Sequence, residues 1–186
     1  MTRFNLSLAL LSMTFFGLAA LPARAELAVG KKAPTFSAEA AQAGKVLSFS
    51  LADALGRGPV IVYFYPQGPS ETCYVENYEF SFVAKRLQAQ GITVLGVNSD
   101  SQEGVMRTSV LECSDKMILA ADPSAKIINS YAAQNPKRLG FALNVGYVIA
   151  PNGRIAFAAV NNSANAVEHV ADLVRAAEAL AAGSTP

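Results

Sequence analysis

"PVIVYFYPQGPSETCYVENYEFSFVAKRLQAQG", residues 59–91, is the stretch whose reading decides the fold. Its first seven residues are apolar, β-branched or aromatic without a break. Alternation would mark a strand with one wet face, whereas a continuous run marks a strand buried on both faces, in the middle of a covered sheet. The chain then turns through Pro66, Gly68 and Pro69, and the period changes. Phe80, Val83, Ala84 and Leu87 recur at the spacing of one helix face, and Gly91 supplies the C-terminal stop. Cys73 therefore falls at the start of the helix, on the side that meets the sheet.

Working outward, "ITVLGV" (92–97) reads as a second buried strand, followed by a short helix over about 101–112. "MILAAD" (117–122) is a third strand, and "PSAKIINSYAA" (123–133) reads as a helix opening with its proline. "NVGYVIA" and "RIAFAAV" flank Pro151-Asn152-Gly153, a hairpin signature. A closing amphipathic helix covers about 164–181, with Val167, Val170, Val174 and Ala177 on one stripe. Residues 26–50 read as extended and loop-like, with "KVLSFS" alternating as a strand. Strands alternating with helices, then a hairpin and a last helix, describe an α/β fold with a central mixed β-sheet flanked by helices. A sheet of thioredoxin type fits this order better than a doubly wound parallel sheet, because the late hairpin supplies antiparallel strands.

The first 25 residues stand apart. Arg3 makes a positive start, Leu6 to Leu21 form an apolar stretch, and Ala23-Arg24-Ala25 is a small-residue cleavage signal. This is the pattern of a secretory signal peptide, too short and wrongly flanked for a membrane span. Residues 26–186 then form one domain of ordinary size. The whole chain carries 15 basic and 14 acidic residues, and loss of Arg3 and Arg24 takes its net charge from +1 to −1. With no basic cluster, nucleic-acid binding has no support, and no later segment is apolar for long enough to cross a bilayer. Two cysteines are too few to build a disulfide framework, so apolar packing must supply the core.

The first turn of a helix presents unpaired N–H groups and the positive end of the dipole, and both favour thiolate over thiol. Thiolate is the nucleophile, so a cysteine placed there is a candidate for chemistry. Cysteine is as commonly buried as a small, inert hydrophobe, and spacing alone leaves both readings open for Cys73. The loop before it adds hydroxyls at Ser70 and Thr72, competent as helix caps or as donors to a thiolate.

At this point the sequence resembles the peroxiredoxins, the thiol peroxidases of the alkyl hydroperoxide reductase/thiol-specific antioxidant family. Its Q-type, bacterioferritin comigratory protein-like branch is nearest. The family's P-x-x-x-T/S-x-x-C signature is met by Pro66, Ser70 and Cys73, and continues through Val75, Glu76 and Phe80. "VGKKAPTF", "TVLGVNSDS", "AAD", "VIAPNGRI" and "EHVADLV" follow in family order. The resemblance implies a thioredoxin-like fold and a peroxidatic Cys73 that attacks a hydroperoxide and becomes sulfenic acid. It implies that Pro66 shields the pocket and Ser70 bonds the reacting oxygen. Neither metal nor organic cofactor is required. The implied partners are hydrogen peroxide or an organic hydroperoxide and a thioredoxin-like or other thiol reductant. The protein would be a monomer or homodimer, exported and periplasmic.

Three departures bear on that expectation. The family's activating arginine, counted back from the hairpin, falls at Asn144; Arg138 and Arg107 are the candidate cations to stand in. Glu71 and Thr72 occupy positions where near relatives have Pro-Gly; a carboxylate pointing inward there raises a thiol pKa, and one pointing outward is a favourable first-turn acid. The local resolving position is Tyr78, which leaves Cys113 as the candidate resolving cysteine; the alternatives are resolution by an outside thiol or a merely buried Cys113. His169, the one histidine, reads as a surface residue without a role, and "NNS" (161–163) matches a glycosylation acceptor that nothing else supports. Two rival readings remain: a thiol-disulfide carrier, against which the lack of C-x-x-C counts, and a non-catalytic thioredoxin-like domain whose peroxidase site has degraded.

Overall fold

The computed structural model describes residues 27–67, 71–111, 117–161 and 165–184, with the side chains of 71–74 left out. The expected signal peptide, Ser70, Cys113 and most of the "NNS" motif lie outside the described residues.

The central strand β3 (Val60–Phe64) is buried at every position, as its unbroken apolar run requires. Period-2 geometry sends Val60, Val62 and Phe64 to one face and Ile61, Tyr63 and Tyr65 to the other. The two sets belong to two separate cores. On the second face lie α2 (Glu71–Ala89), α3 (Gln102–Leu111) and α5 (Ala166–Ala181), which contribute Phe80, Ala84, Leu87, Val105, Val170 and Leu173. The first face is covered by α1 (Leu51–Leu55) and α4 (Lys126–Ser130).

Around β3 the seven strands run in the order β2-β1-β5-β4-β3-β6-β7. β4 (Thr93–Asn98) and β5 (Ile118–Ala121) are parallel to it in sequence across the sheet. β6 (Val145–Ile149) and β7 (Ile155–Val160) are the antiparallel hairpin expected from Pro151-Asn152-Gly153. The mixed sheet with helices on both faces is the one the sequence implies.

Two elements differ from expectation. Residues 37–42 form β1 (Ser37–Gln42), antiparallel to both β2 (Lys45–Ser50) and β5. "SAEAAQ" has weak strand propensity, and pairing on both sides overrides it. Gln42 pairs Lys45, so the hairpin closes through Ala43 and Gly44, both at positive φ, as a two-residue turn of the primed type requires. The helix expected to open at Pro123 opens instead at Lys126. The Asp122 carboxylate accepts from the Lys126 and Ile128 amides at 3.0 and 2.9 Å and holds the preceding residues in a capping turn. Val167 is 51% exposed, so the inner stripe of α5 is Ala166, His169, Val170, Leu173, Val174 and Ala177. No helix of the described residues is long and apolar enough to cross a membrane.

Glycine is needed where backbones close up. A Cβ on Gly146 in β6 would stand 2.3 Å from a Leu173 methyl, so α5 sits directly on the bare strand. A Cβ on Gly96 in β4 would stand 2.6 Å from the Tyr63 hydroxyl, whose ring lies across it.

Candidate functional site

Antiparallel pairing of Phe64 with Val145, and of Val145 with Val160, gathers three chain segments at one edge of the sheet. They are the end of β3, the residue before β6 and the residue after β7. The Asn161 amide donates to the Asn144 carbonyl at 2.9 Å and locks the last two together. Pro66 lies half-buried just beyond β3, after Tyr65, whose amide is held by the Val97 carbonyl at 3.2 Å. Gln67 donates to Asp100 at 3.0 Å, tying the loop after β3 to the loop after β4.

Helix α2 starts from this edge, and Cys73 is its third residue. The helix is 19 residues long, so its first turn presents the positive end of a substantial dipole. One turn further on, the inner face is polar. Glu76 and Asn77 are both fully buried, ahead of the apolar Phe80, Ala84 and Leu87. Asn77 accepts a hydrogen bond from the Tyr63 hydroxyl. Tyr63 in turn packs on Phe80 with ring centroids 4.6 Å apart.

Glu76 is the centre of the arrangement. Asn144 Nδ2 donates to its Oε2 at 3.3 Å and Asn161 Nδ2 to its Oε1 at 2.9 Å. His169 Nδ1 lies 2.9 Å from Oε1, and His169 Nε2 lies 3.1 Å from the Ala159 carbonyl oxygen. A buried carboxyl group is tolerated only when its oxygens are bonded, and both oxygens of Glu76 are bonded here. The expectation that His169 is a surface residue is therefore wrong. It is 6% exposed and faces inward from α5, because the buried stripe runs through Ala166, His169 and Leu173 beside Val170 and Val174, and leaves out Val167. The Asn161 side-chain nitrogen is committed to Glu76, which counts against a glycan there.

Of the sequence-derived site residues, the structure places Pro66 and the backbone of Cys73 at this edge. Asn144 occupies the slot expected of the arginine and turns its amide to Glu76. Arg138 is exposed and stacks on Phe141, its guanidinium carbon 3.5 Å from the ring centroid. Arg107 is exposed on α3, which packs on β1 and β5. Neither is among the described partners of Asn144 or Glu76. Asn161 and His169 were missed as site residues. A buried carboxylate on the inner face of a helix was the available signal, since such a group demands partners. Among the described residues no cluster of His, Cys, Asp or Glu is placed to hold a metal ion.

A protein-family model described as the AhpC/TSA family matches residues 29–158. Among curated proteins, a Helicobacter pylori protein named for the bcp peroxiredoxins is 29% identical over 114 residues, 61% of this chain and 72% of the relative. Yeast peroxiredoxin TSA2 is 30% identical over 140 residues, 72% of this chain and 70% of the relative. Among solved structures, Plasmodium yoelii thioredoxin peroxidase I superposes with a TM-score of 0.71 at 26% identity, covering 82% of this chain and 90% of that one. The thioredoxin-like fold implied by the order of elements is thus the fold of this chain.

Proposed function

This chain belongs to the AhpC/TSA family of thiol-dependent peroxidases, and on that premise we propose that it is an exported peroxiredoxin working at Cys73. Its substrates are hydrogen peroxide and small organic hydroperoxides. The Cys73 thiolate attacks the terminal peroxide oxygen. An S–O bond forms as the O–O bond breaks, the sulfur is oxidised by two electrons, and the leaving alkoxide or hydroxide takes a proton. The resulting sulfenic acid condenses with the Cys113 thiol, releasing water and leaving a disulfide. A thioredoxin-like dithiol protein then reduces that disulfide by exchange.

What carries the reading is the position of Cys73 in the first turn of α2, where β3 delivers the chain through Pro66. Unpaired backbone N–H groups and the helix dipole favour thiolate there. Pro66 shields the pocket, and Ser70 donates to the reacting oxygen. The first 25 residues act as a signal peptide, cleaved after Ala25, and the mature chain works in the periplasm.

The test is rapid mixing of the reduced mature protein with hydrogen peroxide. A rate far above that of free cysteine, abolished in Cys73→Ser, is the expected result. A rate no better than free cysteine would overturn the peroxidase reading and leave a disulfide carrier or a degraded site. Export is tested separately by the N-terminal residue of protein recovered from a periplasmic fraction, expected at Glu26.

A further inference from the structure

Proton counting at Glu76 leads beyond that reading, on which this inference rests. The Ala159 carbonyl can only accept, so His169 Nε2 carries a hydrogen. Both Glu76 oxygens already accept from asparagine amides. One further proton lies between His169 Nδ1 and Glu76 Oε1 at 2.9 Å. Written as imidazolium and carboxylate, or as neutral ring and neutral acid, the pair has no net charge.

The geometry points to His169 as a positioning residue for the Cys73 reaction: it neutralises Glu76, one helical turn after the thiol, and ties that turn of α2 to β7. The arginine that Asn144 replaces would have brought a positive charge to this edge. Asn144 and Asn161 bring hydrogen bonds only, so the charge must come from another element, and α5 supplies it. Without it, a bare carboxylate would stand one helical turn along α2 from residue 73 and disfavour a thiolate there. Glu76 is the titratable group that the described structure places against His169. Glu168, its neighbour in α5, is exposed and bonded to Asn165; among the described residues the hairpin meets the pair with the amides of Asn144 and Asn161 and the Ala159 carbonyl.

Thiolate absorbance of the mature protein is titrated on a Cys113→Ser background, so that one thiol is read. His169→Asn keeps a donor towards Glu76 but carries no charge; it is expected to raise the Cys73 titration by about one pH unit and to slow peroxide reaction near neutrality roughly tenfold. The double variant Glu76→Gln/His169→Asn removes both charges and is expected to return the titration close to that of the parent. A structural role alone would leave the double variant at least as impaired as the single. That outcome, or an unshifted His169→Asn, overturns the proposal. Should His169→Asn fail to fold, Glu76→Gln decides: the titration should stay at or below that of the parent, and a rise overturns the inference. A parent protein that reacts no faster than free cysteine sinks the proposed function alone, because the titration reads the charge arrangement independently of turnover.

Discussion

Asn144 Nδ2 and Glu76 Oε2 meet at 3.3 Å across 68 positions of sequence. This contact joins the residue that leads into the last hairpin to the helix that carries Cys73. An amide holds the acid where the family pattern leads one to expect a guanidinium. Removing the donor takes the Asn144 hydrogen bond from one oxygen of a fully buried carboxylate. Asn144→Ala is therefore expected to cost about 1–3 kcal/mol, the desolvation of an orphaned acceptor. The midpoint of urea unfolding is the measurement, and an unchanged midpoint would show that water replaces the amide without loss.

Gly146 and Leu173 make a second prediction. The would-be Cβ at 2.3 Å from Leu173 leaves no room for a methyl group unless α5 moves off β6. Gly146→Ala should destabilise the fold by about 1–3 kcal/mol through overpacking. Pairing it with Leu173→Ala should give a loss smaller than the sum of the two single losses. Strict additivity in denaturant melts would contradict this account.

Asp122 sets a pH dependence. Burial raises its pKa above the usual aspartate value, against the lowering effect of the Ile128, Lys126 and Ile127 amides and the Ser124 side chain. A raised folded-state pKa means the native protein binds the proton more readily than the unfolded chain. The destabilising contribution of the charged form is present at neutral pH and is relieved as pH falls through the raised value. Wild type should gain stability relative to Asp122→Asn on going from neutral to mildly acid solution. Chemical denaturation at two pH values tests the sign, and a relative loss on acidification refutes it.

Cys113 follows two residues after the end of α3 at Leu111. If it resolves the sulfenic acid, one equivalent of hydrogen peroxide converts the wild type to an intramolecular Cys73–Cys113 disulfide, readable by mass spectrometry after alkylation. Cys113→Ser should instead accumulate a dimedone-reactive species at Cys73. Equal dimedone labelling of both proteins would assign resolution to an outside thiol.

The sequence by itself determined the layers and the place of Cys73 at the start of a helix. An unbroken apolar strand, a turn and a helical stripe leave one arrangement that buries both faces of β3, and strand–helix alternation with a late hairpin sets the mixed sheet. Those are local periodicities, and local periodicity is what a sequence displays directly. Weak signals were lost where neighbours decide. β1 is a strand because β2 and β5 pair with it, despite its alanines. The helix after β5 starts late because Asp122 holds the preceding turn.

The surroundings of Glu76 were settled only by tertiary structure. Glu76 was legible as part of a signature and Asn144 as a departure from one, yet nothing in their spacing shows that they touch. Asn161 read as part of a short common motif and His169 as a surface residue. Register across three strands and the rotation of α5 bring all four side chains together, and both are fixed by packing between segments up to 93 residues apart. A buried carboxylate must find its partners in space, and the order of residues along a chain carries no measure of that distance.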